Sequence, residues 1–167
     1  MWKEIGALFR QIGTIGDGCR CVLLIGNGQG FCGGIDISDR QFFSGIESNI
    51  GDDQVSIDVA RRSLAFRSQI LEMQSAFTAM EECPVPVVAA IHGACIGAGI
   101  DLACCADVRV CSPDAKFSVR EVRLGLAADV GTLQRLPKIV GFGSRVRELC
   151  LSGGELKVCM HMTNSSC

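Results

Sequence analysis

Two apolar segments of this chain each run directly into a cluster of glycines, and this repeated pattern constrains the fold most strongly. The first segment is CVLLI, which leads into GNGQGFCGGID, and the second is VVAAI, which leads into HGACIGAG. A short apolar run that ends at glycines is typical of a buried strand followed by a tight turn. Segments with helical spacing lie between and after these strands. Strands that alternate with helices predict an α/β layer fold.

The other elements follow from apolar spacing and from the positions of proline and glycine. Helices are predicted over about 2–12 and 55–80, and strands at 20–25, at VVAAI and at DVRVC. The CPVP turn ends the second helix because proline lacks an amide donor. An entirely apolar strand such as VVAAI is expected to be covered on both faces. A helical turn is expected over 35–43, a polar segment over 44–54, and mainly helix after Asp129, with Asp129 as a candidate N-cap and Gly141 as a stop.

Composition excludes several classes of function. The chain has 167 residues, a net charge of −2, one Trp and no Tyr, so the basic surface and stacking rings of a nucleic-acid binder are missing. Its longest apolar stretch, 85–106, is interrupted by Pro86, His92 and Asp101, which argues against a membrane span. We therefore expect one compact soluble domain with neither nucleic acid nor membrane as a partner.

The eleven cysteines indicate neither a disulfide framework nor a metal site. His92 and Cys95 have HxxC spacing, but two ligands do not make a zinc site, and paired CxxC motifs are absent. The N-terminal MWKEIGALFRQI has helical spacing and not the continuous apolar run of a secretory signal, which favours a reducing compartment. Several cysteines lie in apolar stretches, where the thiol behaves as a small hydrophobic group; these are Cys32, Cys95, Cys104, Cys105 and Cys111.

The first glycine cluster contains a literal GxGxxG at Gly28, Gly30 and Gly33. A dinucleotide fold also needs a helix and a second buried strand after this motif, and IDISDRQFFSGIESNIGDD contains no such strand. The glycines could simply form a tight turn. The second cluster, at Gly93, Gly97 and Gly99, suggests another use, because two such turns could aim two free backbone amides at one point. Amides of this kind stabilise developing negative charge, as in an oxyanion hole.

Longer segments resemble a known family. GFCGGID, CPVPVVAA and AAIHGACIGAGIDLACCADVRVCSPDAKFSVREVRLGLAADVGTLQRLPKIVG are similar to the enoyl-CoA hydratase/isomerase, or crotonase, superfamily, and to its dienoyl-CoA isomerase branch in particular. The similarity runs from Trp2 to about Lys157. It implies a crotonase-like spiral of β-β-α units, here without the first hairpin and the C-terminal helices. Residues 1–157 are then a partial catalytic core, and 158–167 a tail unlike the family.

The resemblance also implies a set of site residues. The oxyanion amides would be those of Ile35 and Ala98, with further substrate contacts at Gly33, Gly34, Asp36 and Gly97. Glu121 would remove a proton at carbon 2 of a 3,5-dienoyl-CoA, Asp129 would protonate carbon 6, and Asp101 would support them electrostatically. The substrate is a coenzyme A thioester, and neither a further cofactor nor a metal is expected.

Each carboxylate also has a structural explanation. Asp101 lies where an acid stabilises a helix dipole, Glu121 could be a solvated charge beside Arg120 and Arg123, and Asp129 could cap a helix. The alternatives to an isomerase of fatty acid β-oxidation are an enoyl-CoA hydratase/isomerase of another branch and a truncated, inactive homologue. By resemblance, we expect a mitochondrial or peroxisomal location and a family whose full-length members form homotrimers or hexamers.

Overall fold

A computed structural model of the protein has five α-helices and two small sheets in the described part of the chain. The structure describes residues 1–12, 18–38, 58–141 and 143–157. The helices are α1 (Trp2–Ile12), α2 (Val59–Glu81), α3 (Ala98–Cys105), α4 (Thr132–Val140) and α5 (Ser144–Ser152), with a 3-10 helix at Glu121–Leu124. The strands are β1 (Val22–Ile25), β2 (Val87–Ile91), β3 (Ala94–Ile96), β4 (Val108–Cys111), β5 (Lys116–Ser118) and β6 (Glu155–Lys157).

The first sheet is parallel and has the strand order β1-β2-β4. Leu24 pairs with Ala89, and Ala89 in turn pairs with Arg109. One face of the central strand belongs to the hydrophobic core, which also contains Phe77 and Met80 of α2. Helix α1 packs on α2, so closely that a Cβ on Gly6 would lie 2.8 Å from the Cβ of Ala76. The sheet and α2 therefore form the base on which the glycine turns are carried.

The other face of this sheet is open, and the prediction that VVAAI is covered on both faces is wrong. Val88 and Ala90 are only half-buried. The neighbouring side chains on this face are more exposed: Leu23 62%, Ile25 59%, Val108 49% and Val110 52%. An apolar run shows that both faces carry apolar side chains, but only the face with Val87, Ala89 and Ile91 has core packing partners in the described chain.

The second sheet has the order β3-β5-β6, with β3 and β5 parallel and β5 and β6 antiparallel. None of these three strands was predicted from the sequence. Each has three residues, which is too short for a period of two to be visible. The GACIGAG segment, expected to be only a connection, thus contains β3. The same segment forms a parallel bridge between Cys95 and Cys32, which ties the first glycine cluster to the second.

Most of the predicted helix boundaries are confirmed. Helix α2 ends at Glu81, directly before the CPVP turn, and α4 ends with Gly141 at its C-cap, where φ is 88°. Asp129 does not cap α4, because this helix begins at Thr132 with Gly131 at the N-cap. Residues 35–38 include a turn, whereas the remainder of 35–43, the polar segment 44–54, Val55 and the tail 158–167 lie outside the described residues.

The described cysteines are free thiols. Cys95 and Cys105 are buried, Cys32 and Cys104 are half-buried, and Cys111 is exposed, so the expected hydrophobic environment is wrong for Cys111. Cys111 is at the last position of β4, an outer strand of the sheet. Burial raises the pKa of the Cys95, Cys104 and Cys105 thiols to about 12. None of the described helices is both long and apolar enough to cross a membrane.

Candidate active site

The two glycine turns lie against each other. The Cys32 amide donates to the Ala94 carbonyl at 2.9 Å, and the Ile96 amide donates back to the Cys32 carbonyl at 2.9 Å. A Cβ placed on Gly97 would lie 3.7 Å from the Cα of Gly34. The structure therefore brings together two of the predicted substrate contacts, Gly34 and Gly97.

In each turn, the residue after the contacting glycine contributes a backbone amide: Ile35 follows Gly34, and Ala98 follows Gly97. Gly34 and Gly97 have φ values of 95° and 54°, in the left-handed region that favours glycine. The next residue after Gly97 is Ala98, the first residue of α3, whose amide has no acceptor within the helix. Among the backbone hydrogen bonds of the described residues, neither the Ile35 nor the Ala98 amide is a donor. Within this part of the chain, both amides are thus available to a ligand oxygen.

Glu121 is buried against these turns. It begins the 3-10 helix, and only 7% of its surface is exposed. Its Oε1 lies 3.4 Å from the position of a Cβ on Gly97, and its Oε2 has no hydrogen-bond partner in the described chain. Burial raises the pKa of Glu121, and the nearby Asp101 and Asp129 raise it further. The alternative of a solvated surface charge is wrong for this residue.

Asp101 is buried too, but its carboxylate is well partnered. It lies in the first turn of α3, as predicted, and is 1% exposed. Its Oδ1 accepts hydrogen bonds from the Thr132 amide at 2.6 Å and from the Thr132 hydroxyl at 2.8 Å. Burial raises the pKa of Asp101, while the bonds from Thr132 and the charge of Arg135 oppose this. Asp101 therefore satisfies the first amide of α4, the role that the sequence suggested for Asp129.

Asp129 follows these two acids in the chain and is half-buried. Burial raises the pKa of its carboxyl. After burial, the charges of Asp101 and Asp129 each contribute to the raised pKa of Glu121. The Asp129 carbonyl accepts a hydrogen bond from Nε2 of Gln74, on α2, at 2.6 Å.

Asp36 and Gly33 differ from the other two predicted substrate contacts. Both are exposed, and Asp36 accepts hydrogen bonds from the Ser38 hydroxyl at 2.6 Å and the Ser38 amide at 2.9 Å. These bonds, the one from the hydroxyl foremost, lower the pKa of Asp36. Asp36 thus stabilises its own turn, and within the described chain its carboxylate is not hydrogen-bonded to the residues around the three acids.

Three residues around the acids were not predicted: Gln74, Thr132 and Arg135. Gln74 and Arg135 lie within helices and carry no local signal of their long-range partners. Thr132 is the first residue of α4, and nothing in the local sequence indicates Asp101 as its partner. No group of three potential metal ligands occurs among residues 1–12, 18–38, 58–141 and 143–157.

The arrangement suits proton transfer next to a carbonyl group. Carboxyls with raised pKa values exchange protons more readily near neutral pH, and such groups concentrate at functional sites. The amides of Ile35 and Ala98, which donate to no backbone acceptor in the described chain, are the candidate donors for an oxyanion. After GxGxxG, by contrast, the described residues 34–38 form turns and not the helix of a dinucleotide site.

Comparisons with known proteins identify similar sequences and structures. The chain is 45% identical over 155 residues to the mitochondrial Δ(3,5)-Δ(2,4)-dienoyl-CoA isomerase of Mus musculus, covering 93% of this chain and 45% of that protein. It is 48% identical over 141 residues to the peroxisomal enzyme of that name from Arabidopsis thaliana, covering 81% and 48%. The chain thus spans about half the length of these relatives.

A crystal structure described as an enoyl-CoA hydratase from Thermobifida fusca YX, in complex with acetoacetyl-CoA, is also similar. Its TM-score is 0.72 at 28% identity, over 95% of this chain and 58% of that one. The predicted crotonase-like α/β fold is thereby confirmed. The profile of the enoyl-CoA hydratase/isomerase family matches residues 1–159, and the chain belongs to this family.

Proposed function

We propose that this chain is a dienoyl-CoA isomerase, which converts a 3,5-dienoyl-CoA thioester into the conjugated 2,4-dienoyl-CoA. The observation that carries the proposal is the buried carboxylate of Glu121, which lies beside Gly97. The Oε2 atom of Glu121 has no hydrogen-bond partner among the described residues. A buried carboxylate oxygen without a partner is costly unless a ligand uses it. The identity to dienoyl-CoA isomerases supports the choice of substrate class.

In the proposed reaction, the amides of Ile35 and Ala98 donate to the thioester carbonyl oxygen. Ionised Glu121 takes the proton from carbon 2, and the electron pair delocalises through the diene as an enolate. Protonated Asp129 then delivers a proton to carbon 6, which completes the shift of both double bonds. One C–H bond breaks and another forms, so Glu121 ends protonated and Asp129 ionised, and exchange with solvent restores the starting state.

The division of roles requires one ionised and one protonated carboxyl. The pKa values of Glu121 and Asp129 are both raised, and Asp129 ionisation disfavours ionisation of Glu121. An ionised Asp129 opposes ionisation of Glu121, so the proposed reaction starts from the state in which Asp129 holds its proton and Glu121 is ionised. Asp101, fixed by Thr132, adds negative charge that makes Glu121 a stronger base.

The alternative is an enoyl-CoA hydratase of another branch, which the similarity to the Thermobifida fusca structure favours. Hydration needs a water activated by acids near carbons 2 and 3, and has no use for an acid at carbon 6. A mitochondrial or peroxisomal location follows from the names of the relatives and is part of the proposal. A homo-oligomer and the lack of a further cofactor remain predictions.

The test supplies the chain with 3,5-dienoyl-CoA and, separately, with a 2-enoyl-CoA. We expect conjugation, seen as increased ultraviolet absorbance, and expect Asp129→Asn to slow it by about 100-fold or more, the scale of lost general acid catalysis. Exchange of the carbon 2 proton with deuterium should persist. Asp114→Asn is the matched control, since Asp114 is exposed and bonded to Ser112.

Other results would lead to different conclusions. Hydration of the enoyl thioester without isomerisation would reassign the chain to the hydratase branch. Thioester binding without turnover would identify an inactive homologue. If the chain bound no coenzyme A thioester at all, the proposed function would be rejected.

A further inference from the structure

The backbone that carries Asp129 is attached to helix α2. The side-chain amide of Gln74 donates to the Asp129 carbonyl at 2.6 Å, across 55 positions of sequence. Gln74 is half-buried and follows the buried Met73 in the helix. Since α2 has 23 residues and contributes Phe77 and Met80 to the core, it offers a rigid support for this bond.

A second contact from α2 reaches the same turn through Arg135. The Arg135 guanidinium donates to the Thr78 hydroxyl at 3.2 Å and to Glu81 at 2.8 Å, both on α2. It also fills the space beside Gly131, where an added Cβ would overlap Nη1 of Arg135. The turn between Asp129 and Thr132 is therefore enclosed by α2 on one side and by Asp101 of α3 on the other.

Of these contacts, only the one from Gln74 acts on the residue that carries the carboxyl. A hydrogen bond to the Asp129 carbonyl fixes the plane of the following peptide, and thereby restricts the ψ angle of Asp129. The direction of a side chain depends on its backbone, so this restriction limits where the carboxyl can point. Arg135 and Asp101 hold the later part of the turn.

We infer that Gln74 is a positioning residue for Asp129, and that its bond to the Asp129 carbonyl holds the Asp129 carboxyl near Glu121 and Asp101. The inference rests on the proposed function in one respect, which is that Asp129 acts as the acid. In the proposed reaction, Gln74 is neither the base nor the acid. Loss of its bond should therefore alter the environment of Asp129 and the rate of proton delivery, while thioester binding is retained.

The experiment compares Gln74→Met with Gln69→Met. Methionine matches glutamine in length but donates no hydrogen bond, and Gln69 is half-buried on the same helix. The Asp129 carboxyl is followed by ¹³C NMR titration, with Asp101 and Glu121 as the other acids that titrate nearby. We expect Gln74→Met to lower the pKa of Asp129 towards its ordinary value, because the released carboxyl gains access to water.

The second measurement is isomerisation. We expect kcat to fall about 10- to 100-fold in Gln74→Met, the cost of misplacing a reacting group, with KM unchanged. Equal pKa and kcat in the Gln74 and Gln69 variants would overturn the inference. If Gln74→Met fails to fold, Gln74→Leu provides the same comparison. If the wild-type chain shows no isomerase activity, the proposed function is rejected but the inference about Gln74 is not. The NMR titration of Asp129 tests the role of Gln74 without any turnover.

Discussion

Asp101 and Glu121 are both buried acids beside the second glycine turn, yet their surroundings differ. Asp101 accepts two hydrogen bonds from Thr132 and completes the start of helix α4. Glu121 leaves one carboxylate oxygen without a partner in the described chain. Burial raises the pKa of both residues, so a raised pKa alone does not separate them. The two acids differ in their hydrogen-bond partners: Asp101 is bonded to Thr132 and supports the structure, whereas Glu121 has a carboxylate oxygen that is available to a ligand.

The largest expected effect is on catalysis, through Glu121→Gln. Removing the proposed base should lower the isomerisation rate by about 10²- to 10⁴-fold, while the fold is retained because glutamine has the same shape. Steady-state kinetics and circular dichroism measure the two outcomes. Glu148→Gln, an exposed change on α5, serves as the control. Normal activity in Glu121→Gln would mean that the unpartnered carboxylate is not the base.

The second effect is on stability, through Asp101→Ala. This change leaves the buried amide and hydroxyl of Thr132 without their acceptor, and should lower the free energy of unfolding by about 1–3 kcal/mol. Asp101→Asn keeps an acceptor oxygen and should cost less. Chemical denaturation measures both variants. A negligible cost in Asp101→Ala would show that Asp101 does not support helix α4.

The third effect concerns pH. Because the folded pKa of Glu121 is raised, the folded state keeps the proton at a pH where the unfolded chain has lost it. The free energy of unfolding should therefore fall as pH rises from the ordinary Glu pKa of about 4.3 to the folded pKa, by about 1.4 kcal/mol for each pH unit that separates these two pKa values. Denaturation of wild type and Glu121→Gln from pH 4 to 8 isolates this contribution. The variant should gain stability relative to wild type as pH rises, and a pH-independent difference would contradict the expectation.

The smallest effect is that of Thr132→Val, which removes the hydroxyl donor to Asp101 but keeps the amide donor. We expect a loss of about 1 kcal/mol in the free energy of unfolding, less than in Asp101→Ala. Thermal unfolding of both variants in one buffer provides the comparison. If Thr132→Val costs as much as Asp101→Ala, the hydroxyl and not the helix amide is the important partner.

The sequence predicted the elements whose patterns are local. Helical spacing located α1 and most of α2, and apolar runs located β1, β2 and β4. The strands β3, β5 and β6 were missed because three residues are too few to display a period. The open face of the first sheet was missed for a different reason, since apolar side chains at Leu23 and Val110 do not reveal whether anything packs over them.

The candidate site was predictable in its residue types but not in its connections. The glycine turns were identified from the residues and the three acids from the resemblance to the family, and the structure places Glu121 beside Gly97 of the second turn. The cap of α4 was assigned to Asp129, two positions before Gly131, because local rules favour a nearby acid. The actual acceptor is Asp101, 31 residues away from Thr132. Contacts over such distances, including that of Gln74, leave no trace in local sequence patterns.

The raised pKa values of three cysteine thiols have a consequence for the reactivity of the protein towards its proposed product. A conjugated 2,4-dienoyl thioester, the product of the proposed reaction, is an electrophile to which thiolates add. The thiolate is the reactive form of cysteine, and a pKa of about 12 leaves Cys95, Cys104 and Cys105 almost entirely protonated at neutral pH. The raised pKa values therefore keep these three thiols in the form that is least reactive towards such a product.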